Sequence, residues 1–434
     1  MKTRVRLLSA LISLVVLASL VFATSALAVV DDDNSVEDDL PSITEVKDAF
    51  FDVSEDDWYY DSVVFVTERG YMTAENGAFH PDEAVLRGMA AEIIYRLGGT
   101  RAKGYNPFSD VAEDAYYKDA VSWAFETGLI YGYDYDKFGP NDNLTREQIA
   151  MIIYRYAQSF GEGYVWGDEY TLDYNDADEI YTGAKAAVAW LTEKGIMLGD
   201  DKGNFNPKSN VTRAQLAAIV KRFEETYTKA RFFFDFEGGD DGFVPVFADY
   251  HDDSNNYETY QMEHKHKMAP VEGEESNALF IGSMNRSDDI FMGYWKKLEG
   301  LTPDTEYKFC ISFRIGTNAI AGSFGIGGSP AGSVFVKAGV ASVEPKVEEV
   351  EKGVFRFTNI DKGEQGLGGR DAVTIGDMGR ADGKEDDSYS WKYFSLTFTA
   401  TTDENGCAYL IIGTESGFEG LTQYYIDNVN VICR

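Results

Sequence analysis

The chain has 434 residues and a formal net charge of −34, because 73 acidic side chains outnumber 39 basic ones. That length allows two or three domains. The charge argues against nucleic acid as a partner, since its phosphates would be repelled at long range. The three cysteines, Cys310, Cys407 and Cys433, are too few for a disulfide scaffold and allow one pair at most.

The first 28 residues have the pattern of a secretory signal peptide. A basic start, MKTRVR, is followed by an apolar run, LLSALISLVVLASLVF, and by the small-residue site SALA. The run is short for a membrane span and no stop-transfer pattern follows it, so we expect cleavage after Ala28, secretion, and no transmembrane anchor. Residues 29–46 are acidic and poor in apolar side chains, which predicts a disordered spacer.

Three segments that follow share one pattern. Each contains an Asp, a Gly, a Pro and an Arg, with Asp-to-Gly spacings of 18, 18 and 19, Gly-to-Pro spacings of 11, 12 and 12, and a Pro-to-Arg spacing of 6. Spacings that agree this closely indicate an internal repeat. We place the copies at residues 47–100, 105–160 and 170–226. Their marker residues are Asp52, Gly70, Pro81 and Arg87; Asp110, Gly128, Pro140 and Arg146; and Asp176, Gly195, Pro207 and Arg213.

Each copy predicts a helix, a loop with a proline turn, and a second helix. The first helix, as in KDAVSWAFETGLI, ends at the Gly, which is typical of a C-terminal cap. The sequences GAFHP, DKFGP and GNFNP then form the turn. Because one such hairpin cannot bury its own apolar face, we expect an all-α module in which three hairpins pack around a shared axis.

The second helix of copies two and three begins with Thr-Arg-x-Gln. Thr145 and Thr212 each stand three residues before a Gln, which is the spacing of a capping box. The arginines that follow, Arg146 and Arg213, oppose the positive end of the helix dipole, so helix stability does not require them. One interpretation is a solvated arginine. The other is an anion site, in which free helix amides and the guanidinium face one ligand.

The combination of F-x-D-V, an aromatic residue six positions after the Asp, a Gly, an F-x-P turn and T-R-x-Q resembles the S-layer homology (SLH) repeat, which usually occurs in three copies. The resemblance implies a three-pronged, pseudo-threefold helical module. It also implies binding to the secondary polysaccharide of the cell wall, often through a pyruvyl ketal carboxylate, with the repeated Arg in the pocket. The glycan-binding residues that it implies are Asp52, Trp58, Arg87, Asp110, Tyr116, Thr145, Arg146, Asp176, Thr212 and Arg213.

The copies depart unequally from the SLH pattern. Copy one keeps Arg87 but has Leu86 in place of the capping Thr, so we expect the loss of Arg87 to weaken binding least. The Trp of the family is Trp58 in copy one and Tyr116 in copy two, while Gly183 stands near that place in copy three. A groove without its aromatic wall loses stacking against a sugar ring, which predicts one or two competent grooves.

Residues 231–434 are predicted to form an antiparallel sandwich, because apolar and polar side chains alternate in EYKFCISFRI and KYFSLTFTA between Gly- and Asp-rich turns. The segments FDFEGG, LEGLTPDTEYKFCISF, SWKYFSLTFTA and YYIDNVNVI resemble the jelly-roll carbohydrate-binding modules of secreted proteins. In that group the opening Glu and the closing Asp often ligate a structural calcium. The ligands here would be Glu237 and Asp427; otherwise, these are two unrelated surface acids.

The expected function is that of a secreted, non-enzymatic protein held on the cell wall by its SLH repeats. The sandwich would bind a second glycan or serve as a structural or adhesive domain. Tyr294, Trp295 and Trp391 are either sugar-stacking or core aromatics. No HExxH, nucleophile-elbow or Walker sequence indicates catalysis. Two alternatives stay open: a polysaccharide-active enzyme with its site in the sandwich, and a sandwich that self-associates into a surface array.

Overall fold

The computed structural model describes residues 50–99, 106–165, 167–251, 257–286 and 289–434. The predicted signal peptide and acidic spacer lie outside the described residues. The described residues divide into two compact units, one that ends at Pro81 and one that begins at Asp82. In the part of the chain that the structure describes, no helix combines the length and the apolar composition that crossing a membrane requires.

The first unit contains helix α1 (Tyr60–Glu68) and the loop that follows it. Val63 and Val66 on one face of α1 are fully buried, as is Phe79 near the end of the loop. Gly70 follows the helix with a φ of 64°, a conformation that a residue with a Cβ adopts at a cost. This is the glycine stop that the repeat pattern predicts.

The second unit begins with five α-helices: α2 (Arg87–Leu97), α3 (Lys118–Glu126), α4 (Arg146–Ser159), α5 (Lys185–Glu193) and α6 (Arg213–Tyr227). Helix α2 packs against α3, and α4 packs against α5. The second helix of one copy therefore packs against the first helix of the next copy. The predicted hairpin would instead pair the two helices of one copy. Each copy therefore relies on its neighbour, more than the sequence suggests, to bury its apolar helix faces.

A closed ring of three backbone hydrogen bonds joins the segments that precede α2, α4 and α6. Val85 donates to the carbonyl of Val211 at 2.9 Å, Val211 to that of Leu144 at 2.9 Å, and Leu144 to that of Val85 at 2.8 Å. All three side chains are fully buried. This ring is the shared axis that the repeat predicts. It consists of bridged extended segments, so the expected description of the module as purely helical is too simple.

The starts of the three second helices differ as the sequence predicts. The hydroxyl of Thr212 accepts from the amide of Gln215 at 3.2 Å, and the Gln215 side chain accepts from the Thr212 amide at 3.4 Å. In copy two, the side chain of Gln148 accepts from the amide of Thr145 at 2.9 Å. Leu86 makes no side-chain cap. Among the described residues the hydroxyl of Thr145 has no hydrogen-bond partner, so copy three makes both bonds of the box, copy two makes the Gln148 bond alone, and copy one makes neither.

The rest of the second unit is β-structure with one short helix, α7 (Tyr257–Tyr260). Its strands are β1 (Ala230–Phe234), β2 (Val244–Ala248), β3 (Tyr250–His251), β4 (Glu263–Met268), β5 (Asn277–Met284), β6 (Ile290–Leu298), β7 (Glu306–Thr317), β8 (Val334–Ala341), β9 (Val347–Glu351), β10 (Val354–Phe357), β11 (Val373–Asp377), β12 (Ser390–Thr401), β13 (Ala408–Ser416) and β14 (Leu421–Cys433).

Two antiparallel sheets form the predicted sandwich. One has the order β12-β7-β14-β5-β4, with β1 also paired to β14, and the other has the order β11-β8-β13-β6-β2. Strands far apart in the chain are neighbours in both sheets, as in a jelly roll. Phe309, Ile311 and Phe313 of β7 and Val336 and Val340 of β8 meet in one buried core. This alternation of buried side chains in β7 confirms the period of two found in the sequence.

A small third sheet, β3-β10-β9, contacts strand β2 of the second sheet. Phe357 and Val347 from this small sheet pack against buried Phe291 and Ile411 of the second sheet. The sandwich therefore has a partial third layer that the strand pattern did not predict.

Polar contacts join the helices of the second unit to the sandwich. Arg231 at the start of β1 donates to the carbonyl of Leu97 at 2.7 Å and pairs with buried Glu224 of α6 at 3.1 Å. Arg434 donates to the hydroxyl of Tyr156 at 2.8 Å. Burial raises the pKa of Glu224, but the charge and hydrogen bonds of Arg231 outweigh it and hold that pKa below its ordinary value. The junction between α6 and β1 is therefore a packed interface.

Candidate functional site

The Asp that opens each copy holds the proline turn of that copy. The two carboxylate oxygens of Asp52, Asp110 and Asp176 each accept one backbone amide of the turn, at distances of 2.7–2.9 Å. The amides belong to Phe79 and His80, to Phe138 and Gly139, and to Phe205 and Asn206. These aspartates were predicted to bind glycan. The structure shows that each carboxylate shapes the proline turn of its own copy.

The guanidinium of Arg87 reaches into the loop of copy two. Its Nε donates to the carbonyl of Phe138 at 3.0 Å, and its Nη2 donates to the carbonyl of Tyr131 at 2.8 Å. The ring of Tyr133 lies 4.5 Å from the guanidinium carbon. Arg87 is almost fully buried, and this burial lowers its pKa. We call this contact the first junction: Arg87 and the copy-two loop, residues 131–139.

Arg146 makes the same two bonds one copy further along. Its Nε donates to the carbonyl of Phe205 at 2.8 Å, and its Nη2 donates to the carbonyl of Leu198 at 2.8 Å. The ring of Phe205 lies 4.9 Å from the guanidinium carbon. We call this contact the second junction: Arg146 and the copy-three loop, residues 198–206. The repeated Arg therefore clamps the turn of the following copy.

The helix-start amides at these junctions are already paired. The amide of Arg146 donates to the carbonyl of Ser209 at 3.0 Å, and that of Glu147 to the carbonyl of Pro207 at 3.1 Å. At α2, Arg87 donates in the same way to the carbonyl of Asp142 at 3.0 Å. The expectation that free amides and a guanidinium would face one anion is therefore wrong. Carbonyl groups in the loop of the next copy, and not an anion, accept from each guanidinium.

The two junctions present different side chains to solvent. At the first, Tyr131, Tyr133 and Tyr135 are 54%, 57% and 83% exposed. A second cation, Arg155, lies over Tyr131 at 5.0 Å. These three tyrosines are the exposed aromatic side chains of the loop, and we call them the tyrosine ridge. The sequence YGYDYD shows the spacing of the ridge but not the exposure of its rings.

The second junction has Leu198 and Asp200 in place of the ridge. Leu198 is half exposed, and the Asp200 carboxylate accepts from the side chain of Asn206 at 2.9 Å and from the amide of Asn204 at 2.8 Å. The hydrogen bond from Asn206, followed by that of the Asn204 amide, lowers the pKa of Asp200 to about 2. This junction therefore offers an acid where the first offers aromatic rings.

Copy three does have an exposed aromatic residue. Tyr181 is exposed to nearly the same extent as Trp58 of copy one and Tyr116 of copy two. A Cβ built on Gly183 would lie 2.6 Å from the ring of Tyr181, so the glycine makes room for that ring. Gly183 therefore does not mark a missing aromatic wall. Glu147 of copy two accepts from the Tyr181 amide at 2.8 Å and fixes this segment.

Arg213 begins α6 in the third copy. Its amide donates to the carbonyl of Glu83 at 2.8 Å, and its side chain is half buried. Burial and then the charge of Glu92 raise the pKa of Tyr116, and the charge of Arg213 opposes that rise. Arg213 therefore lies within electrostatic reach of exposed Tyr116.

Glu237 and Asp427 both lie within hydrogen-bonding distance of the Ser276 side chain. The hydroxyl of Ser276 donates to Asp427 Oδ2 at 2.7 Å and lies 3.2 Å from Glu237 Oε1. Arg314, however, donates to Asp427 Oδ2 through Nε at 2.9 Å and Nη2 at 2.6 Å. Among the described residues, no group of three or more His, Cys, Asp or Glu side chains could hold a metal ion. The residues as they stand do not fit calcium at Asp427, because a guanidinium occupies that carboxylate.

The sugar-stacking candidates of the sandwich are packed side chains. Tyr294 is buried and donates to the carbonyl of Phe280 at 2.7 Å. Trp295 packs against Tyr409, and Trp391 lies under the guanidinium of Arg314 at 4.1 Å. These contacts support the interpretation of all three aromatic residues as packing side chains and not as a sugar-stacking platform.

Comparison with known proteins supports the repeat. Residues 107–150 and 173–217 match the family model described as S-layer homology domain. The chain is similar to an endoglucanase of Bacillus sp. (strain KSM-635), 31% identical over 39% of this chain and 18% of that enzyme. It is also similar to the surface-layer 125 kDa protein of Lysinibacillus sphaericus, 31% identical over 34% of this chain and 12% of that protein. The chain thus spans less than a fifth of the length of either relative.

Among solved structures, the family 11 carbohydrate-binding module of a cellulosomal cellulase of Clostridium thermocellum is 14% identical. The structural match covers 47% of this chain and 95% of that module, with a TM-score of 0.23. The two matched segments lie in copies two and three, whose second helices begin after a Thr. The clamp of Arg146 on the copy-three loop links these two copies. The chain carries S-layer homology domains, followed by an antiparallel β-sandwich.

Proposed function

We propose that this is a non-enzymatic protein of the cell surface, anchored by its S-layer homology domains to the secondary polysaccharide of the cell wall. The S-layer homology domains and the similarity to a surface-layer protein indicate the location. The sandwich, in this proposal, presents a glycan-binding or adhesive surface outward from the wall.

The tyrosine ridge carries the proposal of wall binding. Exposed aromatic faces stack on the C–H faces of sugar rings, and two rings of the ridge lie against guanidinium groups, Tyr133 against buried Arg87 and Tyr131 against half-buried Arg155. A local positive charge is needed because the chain as a whole is strongly acidic and would repel an acidic glycan. We therefore propose that the wall polysaccharide, pyruvylated or otherwise acidic, lies along the first junction.

The exposed aromatics Trp58, Tyr116 and Tyr181 are proposed as further contacts, one in each copy. Asp52, Asp110 and Asp176 act indirectly, because their carboxylates hold the turns. Thr145 and Thr212 are assigned an indirect role too, at the starts of α4 and α6, where Gln148 accepts from the Thr145 amide and the Thr212 hydroxyl accepts from the Gln215 amide.

Binding of purified wall sacculi tests this proposal. The full chain is incubated with sacculi and with sacculi stripped of their attached polysaccharide, and the bound fraction is measured. We expect retention on the first only, and a large loss for the Tyr131→Ala/Tyr133→Ala variant. Leu198→Ala, at the matching place of the second junction, is the control. Equal retention on stripped sacculi would contradict anchoring through the polysaccharide.

A cleft at one edge of the sandwich is the proposed site for a second glycan. Thr317, Asn318 and Gln423 line it, and the β7–β8 loop beside it exposes Phe324 almost completely. Polar groups beside an exposed ring are the usual composition of a sugar site. Titration of the full chain with plant and microbial polysaccharides, compared with Phe324→Ala, tests this assignment. Binding that is unchanged in Phe324→Ala would rule out a contact between the glycan and this ring.

The enzyme alternative requires accessible carboxylates with raised pKa values. The clearest case is Asp289, whose pKa is raised to about 7 by burial and then by its hydrogen bond to Glu415. Glu415, however, is fully buried and paired with Lys337 and Lys362. This cluster is better explained as an internal ion network of the sandwich. Release of reducing sugars from wall or plant polysaccharide by the purified protein would overturn the non-enzymatic assignment.

The array alternative predicts association of the protein with itself. Light scattering of the full chain over a range of concentrations, with and without calcium, separates the two cases. A monomer at all concentrations supports an anchored binder, and growth into large particles supports a surface array.

A further inference from the structure

The sandwich holds one guanidinium in a pocket built of oxygen atoms. Arg314 of β7 is 6% exposed. In addition to its two bonds to Asp427, its Nη1 donates to Glu274 Oε2 at 2.7 Å, and its Nη2 lies 3.2 Å from the hydroxyl of Ser276. The amide oxygen of Asn428, in the orientation that satisfies both of its polar atoms, accepts from Nε at 2.9 Å. Two carboxylates, a hydroxyl and an amide thus surround the cation.

The backbone is shaped to make this contact. Asp427 lies opposite Arg314 in the pairing of β14 with β7, and the register of that pairing shifts between Asp427 and Asn430. Asn428 has a φ of 49°, a conformation that favours Asn and Gly over most residues. Its amide donates to Asp427 Oδ1 at 2.6 Å. This irregularity turns Asp427, which is fully buried, toward the guanidinium.

The oxygen atoms around Arg314 are of the types that calcium takes as ligands. A calcium ion at Asp427 would lie within a few ångströms of the guanidinium, and two cations at that distance repel each other strongly in a buried site. Burial lowers the pKa of Arg314, but the charges of Asp427, Tyr393 and Glu274 outweigh it and raise that pKa above its ordinary value. Burial raises the pKa of Asp427, and the charge of Arg314 opposes that rise, so Arg314 is the cation that neutralises this buried carboxylate.

We propose that Arg314 is a built-in cation that neutralises Asp427, the carboxylate at which the resemblance implies a structural metal ion. The fold of the sandwich is then independent of calcium, and the two implied ligands, Glu237 and Asp427, are linked through Ser276. Removal of the guanidinium would leave Asp427 and Glu274 without their cation. Calcium is therefore expected to stabilise that variant but not the parent protein.

Thermal unfolding of the full chain in calcium and in a calcium chelator tests the proposal. Arg314→Met is compared with Arg370→Met, a control that removes an exposed arginine paired with Asp371. We expect the parent and the control to unfold at the same temperature in both solutions. Arg314→Met should unfold about 10 °C lower in chelator, because breaking a buried pair leaves an uncompensated charge. Calcium should restore part of that loss.

A parent protein whose unfolding temperature rises by several degrees in calcium would overturn the proposal, and so would an Arg314→Met variant that behaves like Arg370→Met. Arg314→Lys keeps the positive charge and is expected to unfold at one temperature in both solutions. If Arg314→Met does not fold at all, the parent and Arg314→Lys still decide the question, because calcium dependence of either contradicts a built-in cation.

Discussion

The first and second junctions have the same clamp and different surfaces. In both, an arginine donates through Nε and Nη2 to two carbonyls of the next copy, with lengths of 2.8–3.0 Å. Around Arg87 the clamped loop exposes three tyrosines, whereas around Arg146 it exposes Leu198 and Asp200. The repeated residue of the motif thus builds the module, and the variable loop residues decide what each junction can bind.

This comparison changes the expected ranking of the copies. The sequence ranks copy one lowest because Leu86 cannot cap α2, and the cap is indeed missing. Arg87 is nonetheless buried more deeply than Arg146, and its loop carries the aromatic side chains. A missing cap costs about 1 kcal/mol of helix stability. It does not remove the tyrosine ridge, so we expect the first junction to dominate glycan binding.

The largest expected effect is the loss of stability in Arg87→Met. Without the guanidinium, the carbonyls of Tyr131 and Phe138 lose their partners inside the protein, which should cost about 2–4 kcal/mol in the free energy of unfolding. Arg146→Met should cost about 1–2 kcal/mol, because its side chain is less buried. Urea unfolding of both variants, with Arg370→Met as the control, measures the difference. Equal losses at the two junctions would show that depth of burial does not distinguish them.

The second effect concerns glycan binding without loss of the fold. Tyr131→Ala/Tyr133→Ala removes two exposed rings but leaves the carbonyl of Tyr131 available to Arg87, so the clamp should persist. Each ring contributes about 0.5–1.5 kcal/mol, which corresponds to roughly 5- to 150-fold weaker binding of wall polysaccharide for the pair. Leu198→Ala should bind like the parent. Calorimetric titration, with circular dichroism as the check on folding, would contradict the ranking if Leu198→Ala lost more affinity.

The smallest effect is a pH dependence confined to the second junction. The pKa of Asp200 falls from 3.8 to about 2 on folding, chiefly through the hydrogen bond from Asn206. A lowered carboxyl pKa adds stability that is present above about pH 4 and is lost as the pH falls toward 2. Asp200→Asn should therefore unfold at a lower temperature than the parent at pH 6, and this difference should shrink below pH 4. A difference that does not change with pH would assign the effect to geometry alone.

Local features of the chain could be predicted from the sequence. The capping box of α6, the glycine stop at Gly70 and the alternation in β7 depend on residues close together in the chain, and the structure has them. The clamps could not be predicted in the same way. Arg87 and Phe138 are 51 residues apart, and Arg146 and Phe205 are 59 apart. A motif shows that the arginine recurs, but only the fold shows which carbonyls it meets.

The candidate sites show the same limit. The resemblance implied that Glu237 and Asp427 lie close together, and both carboxylates contact Ser276. The sequence could not place Arg314 against Asp427, because that arginine lies on a middle strand with no distinguishing pattern. The tyrosine ridge escapes prediction for the opposite reason: its residues are close together in the sequence, but only the exposure of their side chains indicates binding.

Covalent footprinting of the full chain, with and without purified wall polysaccharide, tests the central claim most directly. Side-chain labelling, measured by mass spectrometry, reports which loops the glycan covers. We predict strong protection of Tyr131, Tyr133 and Tyr135 and unchanged labelling of Leu198. Protection of residues 198–206 with none at the tyrosine ridge would contradict the claim that the first junction is the wall-binding site.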